Sequence, residues 1–576
     1  MKFSYQWLQK YIDLKLPYDK LADELTFSGI EVEAIHYQRY FDYIKNVKAA
    51  EILSQEKHPQ ADKLWICEVY DGTETKKVVC GAPNCKKGVR SAYIPAGETL
   101  SAQLIKKVYI KGVESDGMLC SEKDINLSDN HEGIIELPSE VKPGTPLIDI
   151  YGSENVIYEV EITPNRPDLL GILGISRDIA AILNLPLSYP SIKRFDNLAE
   201  DKPLVENKEP DLCTRYLAKK IKNVTITESP LWLKKILLCN DIKPVNNVVD
   251  ITNYVMMEFG HPLHAFDYEL LNEGRIVVRR AGNGEKISAL DNRTHKLTES
   301  DLVIADSSNP VAIAGIIGNV DSSITKETKN IILEAANFNY VSIRNTANRL
   351  KINTDSAYRF QRNLSDETVS DISDRAAELI LDLCGGELES YCDIYPSPVQ
   401  EQRVRLRPSK ANKLLNISLS TAEMVKYLER LELKAEKIES KSNNAAGKEN
   451  LSSEEEFVEF SIPHFRKDLS REIDLIEEII KEGLPATATN TVTDPNQLCQ
   501  EINMIREKGY AISNSEHVDG VTAISAPIKK GNGSVIASLS VVGPSFRIQE
   551  SDETKYLNYL LETVAEVSKH LGYQAV

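Results

Sequence analysis

KLWICEVYDG (63–72), KKVVCGAP (76–83), VRSAYIPAG (89–97) and KKVYIKG (106–112) are short runs rich in β-branched and aromatic residues, separated by glycine and proline. That length and punctuation read as strands and turns of a small barrel, and a five-stranded OB-type barrel over residues 40–150 fits the spacing. Upstream, residues 3–35 read as one helix around Trp7, Leu8, Tyr11 and Ile12 and a second around Leu21, Leu25 and Ile30, with Gly29 as a stop, so residues 1–39 are expected to form a helical module. Downstream, strands such as NVIYEVEI and GRIVVRR alternate with helical stretches such as GISRDIAAIL, giving a mixed α+β region of two intertwined subdomains over 151–398. QRVRLRP (402–408), STAEMVKYLERLEL (420–433), a polar loop and the acidic helix SREIDLIEEIIKE (470–482) suggest a compact winged-helix-like unit over 399–482. The character changes again after LPATATNT. Residues 483–576 hold a helix, two β-runs around KKGNG and a final amphipathic helix, YLNYLLETVAEVSKHL. The fold class expected is multidomain α+β.

A chain of 576 residues that is 42% hydrophobic exceeds what one core organises, so several domains are required. The N-terminus mixes charge into every turn and no stretch could span a bilayer, which predicts a cytoplasmic protein with no membrane partner. Acidic residues outnumber basic ones, 86 − 68 = 18, which argues against an indiscriminate nucleic-acid surface and restricts any RNA contact to a local patch. Nine cysteines, with no CxxC pair, read as free buried thiols rather than a zinc site; Cys80 and Cys85 lack partner ligands.

The barrel region supplies candidates for such a patch: Lys63, Lys86, Lys87, Arg90, Lys106, Lys107 and Lys111, together with Lys45, Lys48 and Lys57, interleaved with Trp65, Tyr93 and Tyr109. Cations neutralise phosphates and aromatic faces stack on exposed bases. Charge alone fits a solvated surface better than an RNA face, since strand lysines also keep edges soluble. The words around the lysines are more specific. HPQADKLWICEVYDG (58–72), VVCGAPN (78–84) and ESDGMLCSEKD (114–124), in that order, resemble the tRNA-binding OB domain of phenylalanyl-tRNA synthetase beta chains and of several free-standing tRNA binders. SYQWLQKYIDL (4–14) and FSGIEVEAI (27–35) resemble the start of the same bacterial beta chain.

VEITPNRPDLLGILGISRDIAAIL (160–183) offers Asp168 as a helix cap and resembles the junction into the family's B3/B4 editing domain; the likeness continues through NNVVDITNYVMMEFGHPLHAFD (246–267). That family hydrolyses tyrosine wrongly attached to phenylalanine tRNA. The resemblance places its site histidine on His264 and brings in Asn253; AIAGIIGN (312–319) and IILEAANF (331–338) add Gly318 and Glu334, and NTDSAYRFQR (353–362) adds Thr354 and Ser356. Ester hydrolysis needs a positioned water and a polarised carbonyl. A carboxylate built to accept the tyrosine hydroxyl rejects phenylalanine, because without that hydroxyl its own polar group is left unpaired; Glu334 is assigned this task and His264 the water. Ser356, where relatives commonly carry alanine, and Gln361 and Asn363, in place of the usual RFERG, depart from the family pattern.

In RKDLSREIDLIEEII, Asp474, Glu477 and Glu478 stand at i, i+3 and i+4, with Asp468 before the helix and Ile473, Ile476 and Ile480 on the other face. Spacing alone fits a solvated helix face better than an oxygen-rich magnesium site. FSIPHFRKDLSREIDLIEEI (460–479) resembles the end of the family's B5 domain, which implies Mg2+ held by Asp468, Asp474, Glu477 and Glu478. That likeness stops near residue 482. Residues 484–548 resemble instead the second half of the effector-binding domain of IclR-type regulators, through Gly509-Tyr510, Glu516, Gly520, Ala526-Pro527, Gly533, Gly543-Pro544 and Arg547.

The family implies a beta chain that binds and proofreads tRNA(Phe) while a separate alpha subunit charges it with ATP and phenylalanine, in an assembly of two alpha and two beta chains. The alternatives are a tRNA-binding fusion protein that does not assemble, and an effector-sensing regulator fragment acting through the tail.

Overall fold

The computed structural model describes the chain apart from residues 38–43, 101–102, 128–129, 152–155, 196–197, 416–417, 440–455, 482–489, 491–494, 517–519, 532, 534, 549 and 574–576, so the polar loop after residue 440 and the junction near 482 lie outside the described residues. The chain forms two units, residues 1–400 with 464–468, and residues 401–463 with 469–576.

In the first unit the barrel runs are strands. The sheet order is Met118–Leu119, Arg90–Ile94, Lys48–Lys57, Trp65–Tyr70 and Thr75–Cys80, every pair antiparallel. Alternation turns Cys67 and Val69 inward with Ile52, Val78 and Tyr93, the period-2 burial of a strand with one face on a core. The N-terminal module departs from its helical expectation. Lys2–Ser4 and Glu31–His36 flank Ile157–Glu161 in a three-stranded antiparallel sheet, leaving helices only at Tyr5–Leu8 and Tyr18–Phe27. The partner strand lies more than 120 residues away, and strands of three to six residues carry too little local pattern to show it.

Two five-stranded sheets follow. The first runs Ala199–Glu200, Glu387–Ile394, Cys213–Lys222, Ile331–Phe338, Leu263–Asp267; the second runs Val205–Asn207, Ile276–Arg280, Leu302–Ala305, Pro310–Ile313, Ile317–Gly318. The chain leaves the first sheet at Glu200, joins the second at Val205 and returns at Cys213, so the subdomains are intertwined. All eight residues of Ile331–Phe338 are buried, because both of its faces are covered. Leu333 and Ala335 pack with the helices Asn247–Phe259 and Thr368–Cys384; Ile332 and Ala336 pack into the core between the sheets with Tyr216, Phe266 and Val278. Fully burying a side chain such as Ile332 or Phe266 contributes roughly 1.5–3 kcal/mol.

The helix Asn247–Phe259 aims the chain at the next strand. The Asn246 side chain caps it by accepting the Val249 amide at 2.9 Å, a bond whose loss on substitution by alanine costs about 1 kcal/mol. Gly260 ends it at φ +76° and touches Gly171 so closely that a Cβ there would lie 2.9 Å from the Gly171 nitrogen.

The second unit contains a three-stranded sheet, Gln402–Leu406, Phe457–Ile462, Lys434–Glu439, with helices Pro408–Leu415, Thr421–Arg430 and Glu472–Lys481. Ser420 and Glu423 form a capping box at the middle helix. The tail builds a second sheet, Ala511–Asn514, Val521–Lys529, Val535–Pro544, whose Ile524 and Ala526 pack with Leu560 and Val564 of the helix Glu550–His570. Val535, Ile536, Val542 and Phe546 stay more than half exposed, as expected of a half-domain that covers one face only. No helix among the described residues is long and apolar enough to cross a membrane.

Candidate functional site

His264 and Glu334 lie on neighbouring antiparallel strands and are direct register partners. Opposed residues share a face, with Cβ atoms about 4.5–5.5 Å apart, so the ladder alone brings together two side chains 70 positions distant in sequence. They face the core between the sheets, where the second sheet presents Gly318. A Cβ built on Gly318 would lie 2.9 Å from His264 Cε1 and 3.0 Å from Nε2, so glycine here leaves the imidazole its space. The ring packs edge-on against Phe266, and neither of its nitrogens has a hydrogen-bond partner among the described residues. Loss of hydration holds His264 neutral down to about 4. Burial pushes the Glu334 carboxyl up to about 7, against the hydrogen bond it accepts from the Tyr216 hydroxyl. Neighbouring His261 is also held neutral to about 4 by burial, despite its bond to the Ala336 carbonyl at 2.8 Å.

Thr354 and Ser356 hold the turn that carries Gly318. Thr354 accepts the Ala357 amide as an N-cap and donates to the Ile316 carbonyl at 2.7 Å; Ser356 donates to the Gly315 carbonyl at 3.1 Å. Gly315, at φ +63°, admits no Cβ, since Phe338 and Phe360 lie within 3.0 Å of its position. Both hydroxyls therefore brace the segment that sets Gly318 against His264. Asn253 is not brought into this set: it is half-buried on a helix whose Ile251, Tyr254 and Val255 face the other core, and no hydrogen bond among the described residues ties it to His264 or Glu334. Sequence reading missed Tyr216. Nothing local in CTRYLAKKIK marks its hydroxyl, whose acceptor is 118 positions away.

The cationic face of the barrel is sorted by the structure. Lys63, Lys86, Lys87, Lys106, Lys107 and Lys111 are exposed, although Lys107 pairs with Asp116 at 2.9 Å. Arg90 is withdrawn from it: its guanidinium serves the Ser139 and Val141 carbonyls and Glu51. The aromatics divide likewise. Tyr93 is fully buried and donates to the Asp116 carbonyl, Trp65 is half-buried, and Tyr109 is 74% exposed on the hairpin Val108–Ser115 among Lys106, Lys107 and Lys111.

The expected magnesium ligands are divided between the units, Asp468 in the first and Asp474, Glu477 and Glu478 in the second. Among the described residues no three His, Cys, Asp or Glu side chains come together to hold an ion. Asp468 accepts a two-pronged bond from buried Arg466 at 2.9 and 2.7 Å. Asp474 accepts the Ser470 and Arg471 amides and the Arg471 guanidinium, and these overcome its partial burial to keep its carboxyl below the usual range. Glu477 is exposed while Glu478 is buried beside Leu475 and Ile479, and Ile473 is 46% exposed, so the acidic and apolar positions do not fall on opposite faces. A cavity of about 570 Å³ between the barrel and the 228–234 segment is distinct from the His264 site, and its Lys234 is already paired with Glu122 and Glu228.

Family models match the chain in order: a putative tRNA binding domain over 47–146, a B3/4 domain over 212–385, a tRNA synthetase B5 domain over 404–481 and a bacterial transcriptional regulator IclR C-terminal domain over 471–569. The last two overlap on 471–481, within the acidic helix. The phenylalanine--tRNA ligase beta subunits of Geobacter metallireducens and Geobacter sulfurreducens are 41% and 40% identical over 485 residues, 84% of this chain and 58% of each of theirs. The chain thus spans under three-fifths of the length of these curated relatives. An IclR transcriptional regulator from Alicyclobacillus acidocaldarius is 31% identical over 16% of this chain and 37% of its own, with a TM-score of 0.15. Over the residues matched by the tRNA-binding, B3/4 and B5 models the chain is similar to phenylalanine--tRNA ligase beta subunits, and behind them it matches an IclR-type C-terminal domain.

Proposed function

We propose that this chain binds tRNA(Phe) and hydrolyses tyrosine wrongly attached to it, as the beta chain of a cytoplasmic phenylalanine–tRNA ligase whose alpha subunit carries out aminoacylation with ATP and phenylalanine, two of each chain assembling together. The observation that carries the reading is the register pairing of His264 with Glu334 against Gly318. A neutral imidazole with unengaged nitrogens can hold a water beside the ester and take up its proton. The water oxygen bonds to the carbonyl carbon, the ester C–O bond breaks, and the ribose oxygen leaves with a proton, releasing tyrosine and intact tRNA. Glu334 accepts the phenolic hydroxyl that phenylalanine lacks. On the barrel, Tyr109 and the lysines beside it supply a stacking face and phosphate neutralisation. No step is routed through Mg2+, since Asp468 and Asp474 already accept from arginines.

The test is to incubate the full chain with tyrosyl-tRNA(Phe) and follow free tyrosine, with His264→Ala and Glu334→Ala alongside. Release that drops in both variants is the expected result. A folded wild-type protein that releases tyrosine no faster than spontaneous hydrolysis sinks the editing reading and leaves tRNA binding. Co-purification with an alpha subunit separates the assembled beta chain from a fusion that only holds tRNA.

A further inference from the structure

Tyr216 is fully buried on Cys213–Lys222, the strand next to Ile331–Phe338, and its hydroxyl donates to Glu334 Oε2. The ring is packed in the core between the sheets with Ala218, Phe266 and Ala336. A buried phenol without an acceptor is costly, so this bond and the packed ring fix each other. The bond also divides the two carboxylate oxygens of Glu334. Oε2 is occupied, whereas Oε1 has no hydrogen-bond partner among the described residues, although Glu334 as a whole is only 7% exposed.

We propose that Tyr216 is a positioning residue of the editing site: it holds Glu334 by Oε2 so that Oε1 alone meets the phenolic hydroxyl of the mischarged tyrosine. This inference rests on the editing reading above and adds to it the residue that sets the specificity group. A carboxylate free to rotate could turn either oxygen to the ligand or bury both; one pinned by a packed ring presents a single acceptor in one direction. Such pre-organisation acts on binding of the tyrosyl group more than on the bond-breaking step. The groups facing Glu334 are Tyr216 and Cys213 on one neighbouring strand, His264 on the other, and Cys392 beside Tyr216. Of these, Tyr216 alone hydrogen-bonds to the carboxylate and stabilises its ionised form, so removing the hydroxyl shifts Glu334 ionisation to higher pH.

The experiment compares the wild-type full chain with Tyr216→Phe, which keeps every ring contact, and with Glu334→Gln. Two readouts are taken from pH 6 to 9: KM and kcat for tyrosyl-tRNA(Phe) hydrolysis, and the infrared band of the protonated Glu334 carboxyl, assigned by its absence in Glu334→Gln. At pH 7 Tyr216→Phe is expected to raise KM about tenfold, the scale of one hydrogen bond to a charged group, with kcat within about twofold. Its carboxyl band should persist to higher pH, and its KM should fall as that band disappears but stay above the wild-type value, because an ionised carboxylate without the Tyr216 hydroxyl is still unpinned. Glu334→Gln should lose this pH dependence. Unchanged KM together with an unchanged band overturns the proposal, as does a loss of kcat equal to that of His264→Ala at constant KM. If the wild type releases no tyrosine, the editing reading fails by itself, and an unshifted band in Tyr216→Phe then also removes the coupling to Glu334. Should Tyr216→Phe fail to fold, the wild type against Glu334→Gln still decides: a Glu334 band with no effect on KM overturns the proposal.

Discussion

On Ile331–Phe338 Glu334 stands one ladder step from His264, whereas on Glu472–Lys481 Asp474 and Glu478 stand one helical turn apart and meet different surroundings. Asp474 is half-buried and held by Arg471 and two amides; Glu478 is 4% exposed. Strand register is enforced by backbone hydrogen bonds, so a matched pair is delivered to one face at fixed separation. Helical spacing fixes angles only, and what each side chain meets is decided by the elements packed on that helix. A string of acids also attracts nearby arginines, which satisfy the same oxygens a cation would need.

Breaking the strand side of this comparison should give the largest effect. His264→Ala is expected to slow tyrosyl-tRNA(Phe) hydrolysis by about 100-fold or more, the range of a lost general base. Gly318→Ala should approach the same loss by pushing the imidazole aside, since its methyl would sit 2.9 Å from Cε1; deacylation near the wild-type rate would show that the ring is not held where the structure has it.

On the acidic side, Arg466→Ala leaves Asp468 deprived of its partner. Breaking a buried pair of this kind costs roughly 3–5 kcal/mol, to be read from denaturant unfolding of the full chain. Millimolar Mg2+ should stabilise the wild type by far less than that; a comparable gain would show the carboxylates exchanging arginine for the ion.

The barrel sharpens the contrast between exposed and buried residues of one type. Tyr109→Ala should weaken tRNA(Phe) binding by about 1–3 kcal/mol, the worth of one stacked base, while Tyr93→Phe leaves affinity unchanged. Equal effects in a filter-binding titration would dismiss the hairpin as the contact.

A further effect is electrostatic. The Glu334 carboxyl ionises at about 7 in the fold against an ordinary 4.5, so the folded state binds its proton more tightly than the unfolded chain. Its contribution is full below about 4.5 and is lost as pH rises through about 7. Wild type should therefore lose melting temperature relative to Glu334→Gln between pH 5 and 8. Parallel curves would place the carboxyl in a wetter setting.

Sequence by itself determined the barrel runs, the mixed region behind them and the change to a different module, because strand alternation, turn chemistry and the ordered motifs are local and survive without partners. Tertiary structure alone decided what those residues face. It put Glu334 opposite His264, sent Arg90 and Tyr93 inward and left Tyr109 out, moved Ile157–Glu161 into the N-terminal sheet, kept Asn253 from the site, and tied Tyr216 to Glu334. Those outcomes depend on pairings between segments tens to hundreds of residues apart, whose register and burial are set only when the sheets close on a common core.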